Sequence, residues 1–352
     1  MPRNGKLVRI IILALGAAAL VATLAVTTAG AAGKHSAGTM TGAGSSLIAP
    51  AVAVWSQLYK ASSIQYSAVG SGQGIKYISG RTVDFGASDA PLNKPQAAGC
   101  HGCVQIPWAL TATSPVVNIP GVGANKLHLT GALLARIYLG DIKRWNDPSI
   151  KKINRGLSLP STPIVVVHRS DGSGDTYVFT NYLSKVSRQW KTQVGNSTTV
   201  NWPAGIGGKG NAGVAADVSQ NPGAIGYVSV AYVIQNHLRL ARLKNSAGRY
   251  VLPTIGSIES SAQLVKVNRI PANNKISITS PPKSAKYRNA YPLATFTYVI
   301  VPRSTPKAAE LKAFITWALG SRAQSSIKKL VFAPMPKVVV QAAKKTLKKI
   351  HS

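Results

Sequence analysis

The chain has 352 residues, of which 41 are Lys or Arg and 9 are Asp or Glu, so its formal net charge is +32. A chain of this length can bury a large core and is expected to form two domains. The charge suggests a nucleic-acid-binding protein, but the basic residues are spread along the chain and no nucleic-acid-binding motif occurs, so we expect no nucleic-acid partner.

The N-terminal segment predicts export. Three basic residues precede an apolar run over residues 10–26, and small residues follow through Gly33. This run is near the length that spans a bilayer, so residues 1–33 are either a cleaved signal peptide or an uncleaved membrane anchor. No Cys occurs before residue 100, so we expect no lipid-modified N-terminal cysteine and no lipoprotein. The expected location is extracytoplasmic, in a periplasm or at the cell surface.

Helical and strand patterns alternate along the chain, which favours an α/β fold. Helices are predicted over residues 50–59, 75–79, 130–139, 175–183, 214–219, 306–319 and 337–350, and strands over 64–68, 83–87, 164–167 and 224–230. The last helix carries Val339, Ala343, Leu347 and Ile350 on one face and lysines elsewhere. We expect this face to dock on the helix's own domain rather than on a membrane.

Two cysteines, Cys100 and Cys103, enclose a His-Gly pair. Export favours a small disulfide loop between them. Free or redox-active thiols and half of a metal site are the alternatives, although a zinc ion would lack a ligand because the chain has no second cysteine pair.

Four strand-to-helix junctions are rich in small residues, at residues 41–47, 70–74, 86–89 and 168–180. Backbone N–H groups at the start of a helix lack internal partners, so such a turn can bind an anion. In the last turn Arg169 adds a forked cation and Ser173 a hydroxyl, both good donors to an oxyanion. One such turn is equally explained as a helix N-cap, but four favour a site assembled between lobes.

Catalytic motifs are absent from the sequence. The segment 207–211 lacks the spacing of a Walker A loop, no Gly-x-Ser-x-Gly elbow occurs, and the six histidines do not cluster. We therefore expect no catalytic residue, no metal ion and no cofactor.

The scarcity of carboxylates has two explanations. In an acidic medium surface carboxylates are neutralised, so most can be lost without harm. The chain is then an extracellular protein of an acid-living cell; alternatively, it is a protein held on an anionic cell envelope.

Residues 41–50, 82–92, 138–147 and 201–227 resemble, in order, the phosphate-binding protein of the ABC-type phosphate importer. The resemblance extends from residue 41 to the final helix. It implies a two-lobed α/β fold of the periplasmic-binding-protein type II, with two crossing hinge strands and a ligand cleft between the lobes. By this resemblance the first lobe is residues 40–118 plus 297–352, and the second is residues 119–296.

The resemblance also implies the ligand and the partner, which are inorganic phosphate and the membrane permease subunits of the importer. Carried over position by position, the phosphate contacts are Ser46, the backbone N–H of Leu47, Ser71, Asp89, Arg169, Ser173, Gly174 and Asp175. Asp171 is expected to orient Arg169 rather than touch the ligand. Asp175 stands where the family often has Thr, and it is equally explained as a ligand contact or as an acid that stabilises a helix start.

The expected selectivity comes from Asp89. Phosphate at neutral pH carries a proton that this carboxylate can accept, whereas sulfate carries none and would be repelled. The alternatives are a binding protein for another oxyanion, an exported phosphatase-like scavenging enzyme, and a surface protein that acts through charge alone.

Overall fold

The computed structural model describes residues 38–266 and 270–352. The predicted signal peptide or anchor, residues 1–33, lies outside the described residues. None of the described helices is both long and apolar enough to cross a membrane.

The described chain alternates strands and helices. The strands are β1 Thr39–Gly44, β2 Ser63–Ser67, β3 Phe85–Ser88, β4 Cys103–Asn118, β5 His128–Leu129, β6 Val165–Arg169, β7 Ile206–Gly208, β8 Ala224–Ser229, β9 Arg239–Leu240, β10 Arg242–Lys244, β11 Tyr250–Val251 and β12 Ala294–Pro302. The helices are α1 Ala49–Leu58, α2 Ser71–Ser79, α3 Lys94–Gly99, α4 Gly131–Tyr138, α5 Pro148–Ile153, α6 Gly174–Val186, α7 Arg188–Gln193, α8 Gly210–Gln220, α9 Val230–Gln235, α10 Ile255–Ala262, α11 Ala308–Ala318, α12 Ser321–Ser326 and α13 Lys337–Leu347.

The main sheet has the strand order β2-β1-β3-β12-β4-β8-β6-β7, with β9 also paired to β4. β1, β2 and β3 are parallel to one another, and so are β6, β7 and β8. The long strands β4 and β12 lie between these groups and pair antiparallel. Residues 103–112 of β4 pair with β12, and residues 113–118 pair with β8. β4 therefore passes from one parallel group to the other.

The core surrounds these central strands. All but the two end residues of β4 and every residue of β12 are buried, as is typical of strands that are covered on both faces. One core cluster packs around α1 and α11, and a second packs around α4 and α6. The apolar face of α13 is buried, which confirms that this helix docks on its own domain.

Several element boundaries differ from the predictions. α2 begins at Ser71, four residues before the predicted start, because its first turn is formed by Gly and Ser residues without an apolar pattern. α11 begins at Ala308, and the predicted first residue Pro306 lies in the preceding turn. There the backbone N–H of Thr305 bonds to His351 and the Lys307 side chain bonds to Asp84 at 2.8 Å, which holds this turn outside the helix.

Cys100 and Cys103 form a disulfide. Arg81 holds the small loop that they close: its guanidinium donates to the carbonyls of Cys100 and His101 at 3.1 and 3.0 Å. The loop therefore sits at the C-terminal end of α2, because Arg81 follows that helix by two residues.

Candidate functional site

The four predicted turns meet in one buried cluster. The N–H of Gly72 donates to the carbonyl of Gly172 at 2.8 Å, which joins the first turn of α2 to the turn before α6. The N–H of Gly174 donates to Ser71 Oγ at 3.1 Å across the same boundary. Since α2 follows β2 of one parallel group and α6 follows β6 of the other, these contacts define a cleft between the two groups.

Asp89 follows β3 directly and is 1 % exposed. Its Oδ2 accepts a hydrogen bond from Ser45 Oγ at 2.6 Å, and Ser71 Oγ lies 3.5 Å from the same oxygen. Asp89 Oδ1 is buried and has no hydrogen-bond partner among the described residues. A buried acceptor without a donor is costly, so this oxygen is suited to a ligand that donates a hydrogen bond.

Arg169 ends β6 and faces the cleft. Its Nε and Nη2 donate to the two oxygens of Asp171 at 2.7 and 2.6 Å, and its Nη1 donates to Asp175 Oδ2 at 3.1 Å. A guanidinium has five N–H groups, and these contacts use three. Two N–H groups of Arg169 therefore remain for another acceptor. Asp171, which accepts two hydrogen bonds from Arg169, fixes the plane of the guanidinium.

Asp175 lies in the first turn of α6 and is fully buried. Besides Arg169, it accepts hydrogen bonds from Thr113 Oγ1 at 2.6 Å and from Asn211 Nδ2 at 2.7 Å. Asp175 thus stands at the start of α6 and also belongs to the cleft cluster. A role in stabilising the helix start and a role as a ligand contact are therefore compatible for this residue.

The remaining predicted contacts are engaged within the cluster. Ser46 Oγ accepts from the backbone N and from Nδ2 of Asn211 at 3.1 and 2.9 Å. Ser173 caps α6, its Oγ accepting from the N–H of Thr176. The N–H of Leu47 donates to Ser45 Oγ at 3.0 Å.

Burial and charge set the protonation of the cleft. Burial, together with the nearby Asp175, raises the pKa of Asp89 from its ordinary value of 3.8 to about 7. Burial also raises the pKa of Asp175, although Arg169 acts against this rise. Burial would raise the pKa of Asp171 as well, but the hydrogen bonds and charge of Arg169 outweigh it and hold that pKa below the ordinary value.

Three residues of the cluster were not predicted from the sequence. Ser45 adjoins the predicted Ser46 in the same turn, and Asn211 lies in the Gly-Gly-Lys-Gly-Asn run that carries the family resemblance, so both had a signal. Thr113 had none, because it lies in β4, a strand that the hydrophobic pattern did not reveal.

The space beside the cleft is lined by two lysines and by Asp171. Within residues 38–266 and 270–352, no group of three His, Cys, Asp or Glu side chains is placed to hold a metal. A cavity of about 640 Å³ opens beside the cleft, lined by glycines from both sides of it and by Lys76 and Lys209.

Comparisons with known proteins agree with this geometry. Residues 29–322 match a family model described as a PBP superfamily domain. The chain is 42 % identical over 308 residues to the phosphate-binding protein PstS of Xylella fastidiosa strain Temecula1, covering 86 % of this chain and 83 % of that one. It is 40 % identical over 330 residues to PstS of Pasteurella multocida, covering 92 % of each chain.

Solved structures share the fold at low sequence identity. The phosphate-binding protein of Stenotrophomonas maltophilia superposes with a TM-score of 0.65 at 20 % identity, covering 87 % of this chain and 93 % of that one. An ancestral soluble variant of the human phosphate-binding protein gives a TM-score of 0.71 at 19 % identity, with the same coverage. The α/β fold is therefore that of the periplasmic binding proteins.

Proposed function

The chain belongs to the PBP superfamily and, within it, to the PstS phosphate-binding proteins, and we propose that it binds inorganic phosphate in the cleft around Asp89 and Arg169. It serves as the receptor of an ABC-type phosphate importer and passes phosphate to the permease subunits. Proteins of this family are transport components and not enzymes.

The binding set that we propose combines hydroxyls, backbone amides and one guanidinium. Arg169 supplies its two remaining N–H groups, and Ser46 and Ser173 supply hydroxyl donors. The Ser71 hydroxyl and the N–H groups of Leu47 and Gly174 exchange their present partners for phosphate oxygens. The remaining members, Asp89 and Asp175, supply acceptors for the protons of phosphate.

The unpartnered Asp89 Oδ1 is the observation that supports phosphate over sulfate most directly. A protonated phosphate oxygen can donate to it, and the pair then shares one proton in a site that excludes water. Sulfate has no proton to offer, so the same carboxylate repels it wherever Asp89 is ionised, which is above its raised pKa of about 7. A charge-assisted hydrogen bond contributes about 1.5–3 kcal/mol, and its loss combined with repulsion gives strong discrimination.

Closure of the cleft would both enclose phosphate and form a surface for the permease. We propose that residues 40–118 plus 297–352 form one lobe and residues 119–296 the other. Strands β4 and β12 support this division because they are the elements that run between the two parallel groups. Phosphate shifts the lobes toward the closed state only by its greater affinity for that state.

The protein works outside the cytoplasm. We propose that residues 1–33 direct its export, either as a removed signal peptide or as a retained anchor, and that it is not a lipoprotein. The large positive charge then accelerates the capture of anions, in a way that weakens with salt.

Calorimetric titration tests the proposed ligand. Residues 34–352, freed of bound anion, should bind one phosphate per chain, and excess sulfate should not compete at a pH above 7, where Asp89 is ionised. Asp89→Asn should retain phosphate binding at reduced affinity and accept sulfate better, since its side chain no longer carries a charge. Absence of phosphate binding, or equal binding of sulfate by the unmodified protein, would contradict the proposal.

A further inference from the structure

Asn211 connects the two sides of the cleft, although it is not among the ligand contacts that the family resemblance implies. It is fully buried in the first turn of α8, after Gly210, whose φ of +67° favours glycine. Its backbone N–H and its Nδ2 both donate to Ser46 Oγ, at 3.1 and 2.9 Å. Ser46 follows β1 in one parallel group, whereas α8 packs on β6 and β8 in the other.

The orientation of the Asn211 amide is fixed by its surroundings. The backbone N–H of Ser229 approaches the amide at 2.6 Å, and because a backbone N–H can only donate, the atom it meets must be the oxygen Oδ1. The NH₂ end therefore faces the cleft. Its two hydrogens go to Ser46 Oγ and to Asp175 Oδ2, the latter at 2.7 Å.

This arrangement determines what the Ser46 hydroxyl can do. A hydroxyl oxygen has two lone pairs and one hydrogen. Asn211 occupies both lone pairs, through its backbone N–H and its side chain, so the oxygen can accept no further hydrogen bond. The hydroxyl hydrogen must then donate to another group.

We infer that Asn211 is a positioning residue that makes Ser46 an obligatory hydrogen-bond donor to an unprotonated oxygen of the bound oxyanion, and that it does so only when the two sides of the cleft are together. The inference rests on the proposed function and adds to it which oxygens of the ligand, protonated or unprotonated, these side chains bind. Asp89 selects the protonated oxygen of phosphate, and the Ser46–Asn211 pair selects an oxygen without a proton.

Because Ser46 and Asn211 lie on opposite sides of the cleft, the hydroxyl is fully oriented only in the closed state. In the open state it is free to rotate and to bond with water. The contact therefore contributes to the difference in affinity between the closed and open states, which is what drives closure. The hydrogen bond from Asn211 to Asp175 links Asn211 to the same cluster a second time.

The test is a double-mutant cycle between Asn211→Ala and Ser46→Ala, measured as phosphate affinity by calorimetry. Loss of one oriented hydrogen bond corresponds to about a tenfold weaker affinity, so Asn211→Ala should weaken binding by about that factor in the wild-type background. In the Ser46→Ala background the same substitution should change affinity by less than about threefold, because the hydroxyl it orients is gone.

Two further variants complete the design. Asn211→Asp should bind more weakly than Asn211→Ala, since a carboxylate oxygen would accept the Ser46 hydrogen and turn it away from the ligand. The same cycle can be run with Asn211→Ser, which adds no charge beside Asp175, if the alanine variant does not fold. Ser229→Ala is the matched control: the Ser229 hydroxyl is buried without a described partner, and its bond to Asn211 comes from the backbone. This control should bind phosphate like the wild type.

The outcomes separate the two proposals. Equal losses from the uncharged Asn211 substitution in both Ser46 backgrounds would overturn the role of Asn211 and leave the phosphate receptor intact. An Asn211→Ala protein with wild-type affinity would do the same. A wild-type chain that does not bind phosphate would overturn the proposed function, and with it the role of this pair.

Discussion

Gly174, the first residue of α6, lies directly against the carboxylate of Asp89. A β-carbon at position 174 would overlap with the Oδ2, the Cβ and the backbone nitrogen of Asp89. Asp89 follows β3, and Gly174 begins the helix that follows β6, so the contact joins the two parallel groups of the sheet. The glycine is required here by close approach and not by a positive φ.

Gly174→Ala should therefore prevent full closure. We expect phosphate affinity to fall by at least about tenfold, because the backbone of Asp89 cannot move aside as a flexible side chain would. Gly256→Ala is the matched control: Gly256 lies in the first turn of α10, and its missing β-carbon faces open space. Calorimetry on both variants checks the prediction, and similar affinities for the two would show that the close approach is unimportant for binding.

The sequence predicted the helices with a clear apolar stripe and missed the structure that depends on distant contacts. α13 was anticipated because Val339, Ala343 and Leu347 recur at helical spacing. β4 was not, because a strand covered on both faces lacks the alternation that identifies half-buried strands.

Within the site, the composition of the turns predicted where binding residues lie. The sequence did not predict which of the site's residues bond to one another. The Gly/Ser turns that hold Ser71 and Ser173 were recognisable from composition alone. The bonds of Asn211 to Ser46, 165 residues away, and of Thr113 to Asp175, 62 residues away, depend on how the two parallel groups meet. No pattern within a short window of sequence carries that information.

The raised pKa of Asp89 should make stability depend on pH. Between the ordinary value of 3.8 and about 7, the folded protein holds a proton on Asp89 that the unfolded chain has lost. Its contribution to the free energy of unfolding is therefore complete at low pH and declines as pH rises toward 7. The change from 3.8 to about 7 corresponds to about 4 kcal/mol.

Asp89→Asn removes this effect together with the influence of the Asp89 charge on the nearby Asp175, whereas the histidines and the remaining carboxylates titrate in both proteins. Denaturant unfolding of phosphate-free samples between about pH 4 and pH 7 should show the wild type losing stability relative to the variant. Parallel curves for the two proteins would mean that Asp89 titrates at its ordinary pKa.

The disulfide should stabilise the fold without affecting binding. A loop of four residues corresponds to about 2 kcal/mol in the chain-entropy relation. The loop is held by Arg81 at one end of α2, whereas Ser71 begins that helix at the cleft, about 14 Å away. A Cys100→Ser/Cys103→Ser variant should thus melt a few degrees lower and bind phosphate with unchanged affinity. A large loss of affinity in this variant would link the loop to the cleft.

Asp175 should make phosphate binding stronger in acid. Its raised pKa means that it gains a proton more readily than an ordinary carboxylate, and once protonated it no longer repels the anion. At low pH, Asp175 and the ligand can share a proton, whichever of the two holds it. Asp175→Thr retains a hydroxyl donor at the helix start but cannot titrate. Phosphate affinity should therefore rise more steeply with falling pH in the wild type than in Asp175→Thr. The ratio of the two affinities at each pH cancels the ionisation of phosphate itself, so a ratio independent of pH would remove Asp175 from the proposed contacts.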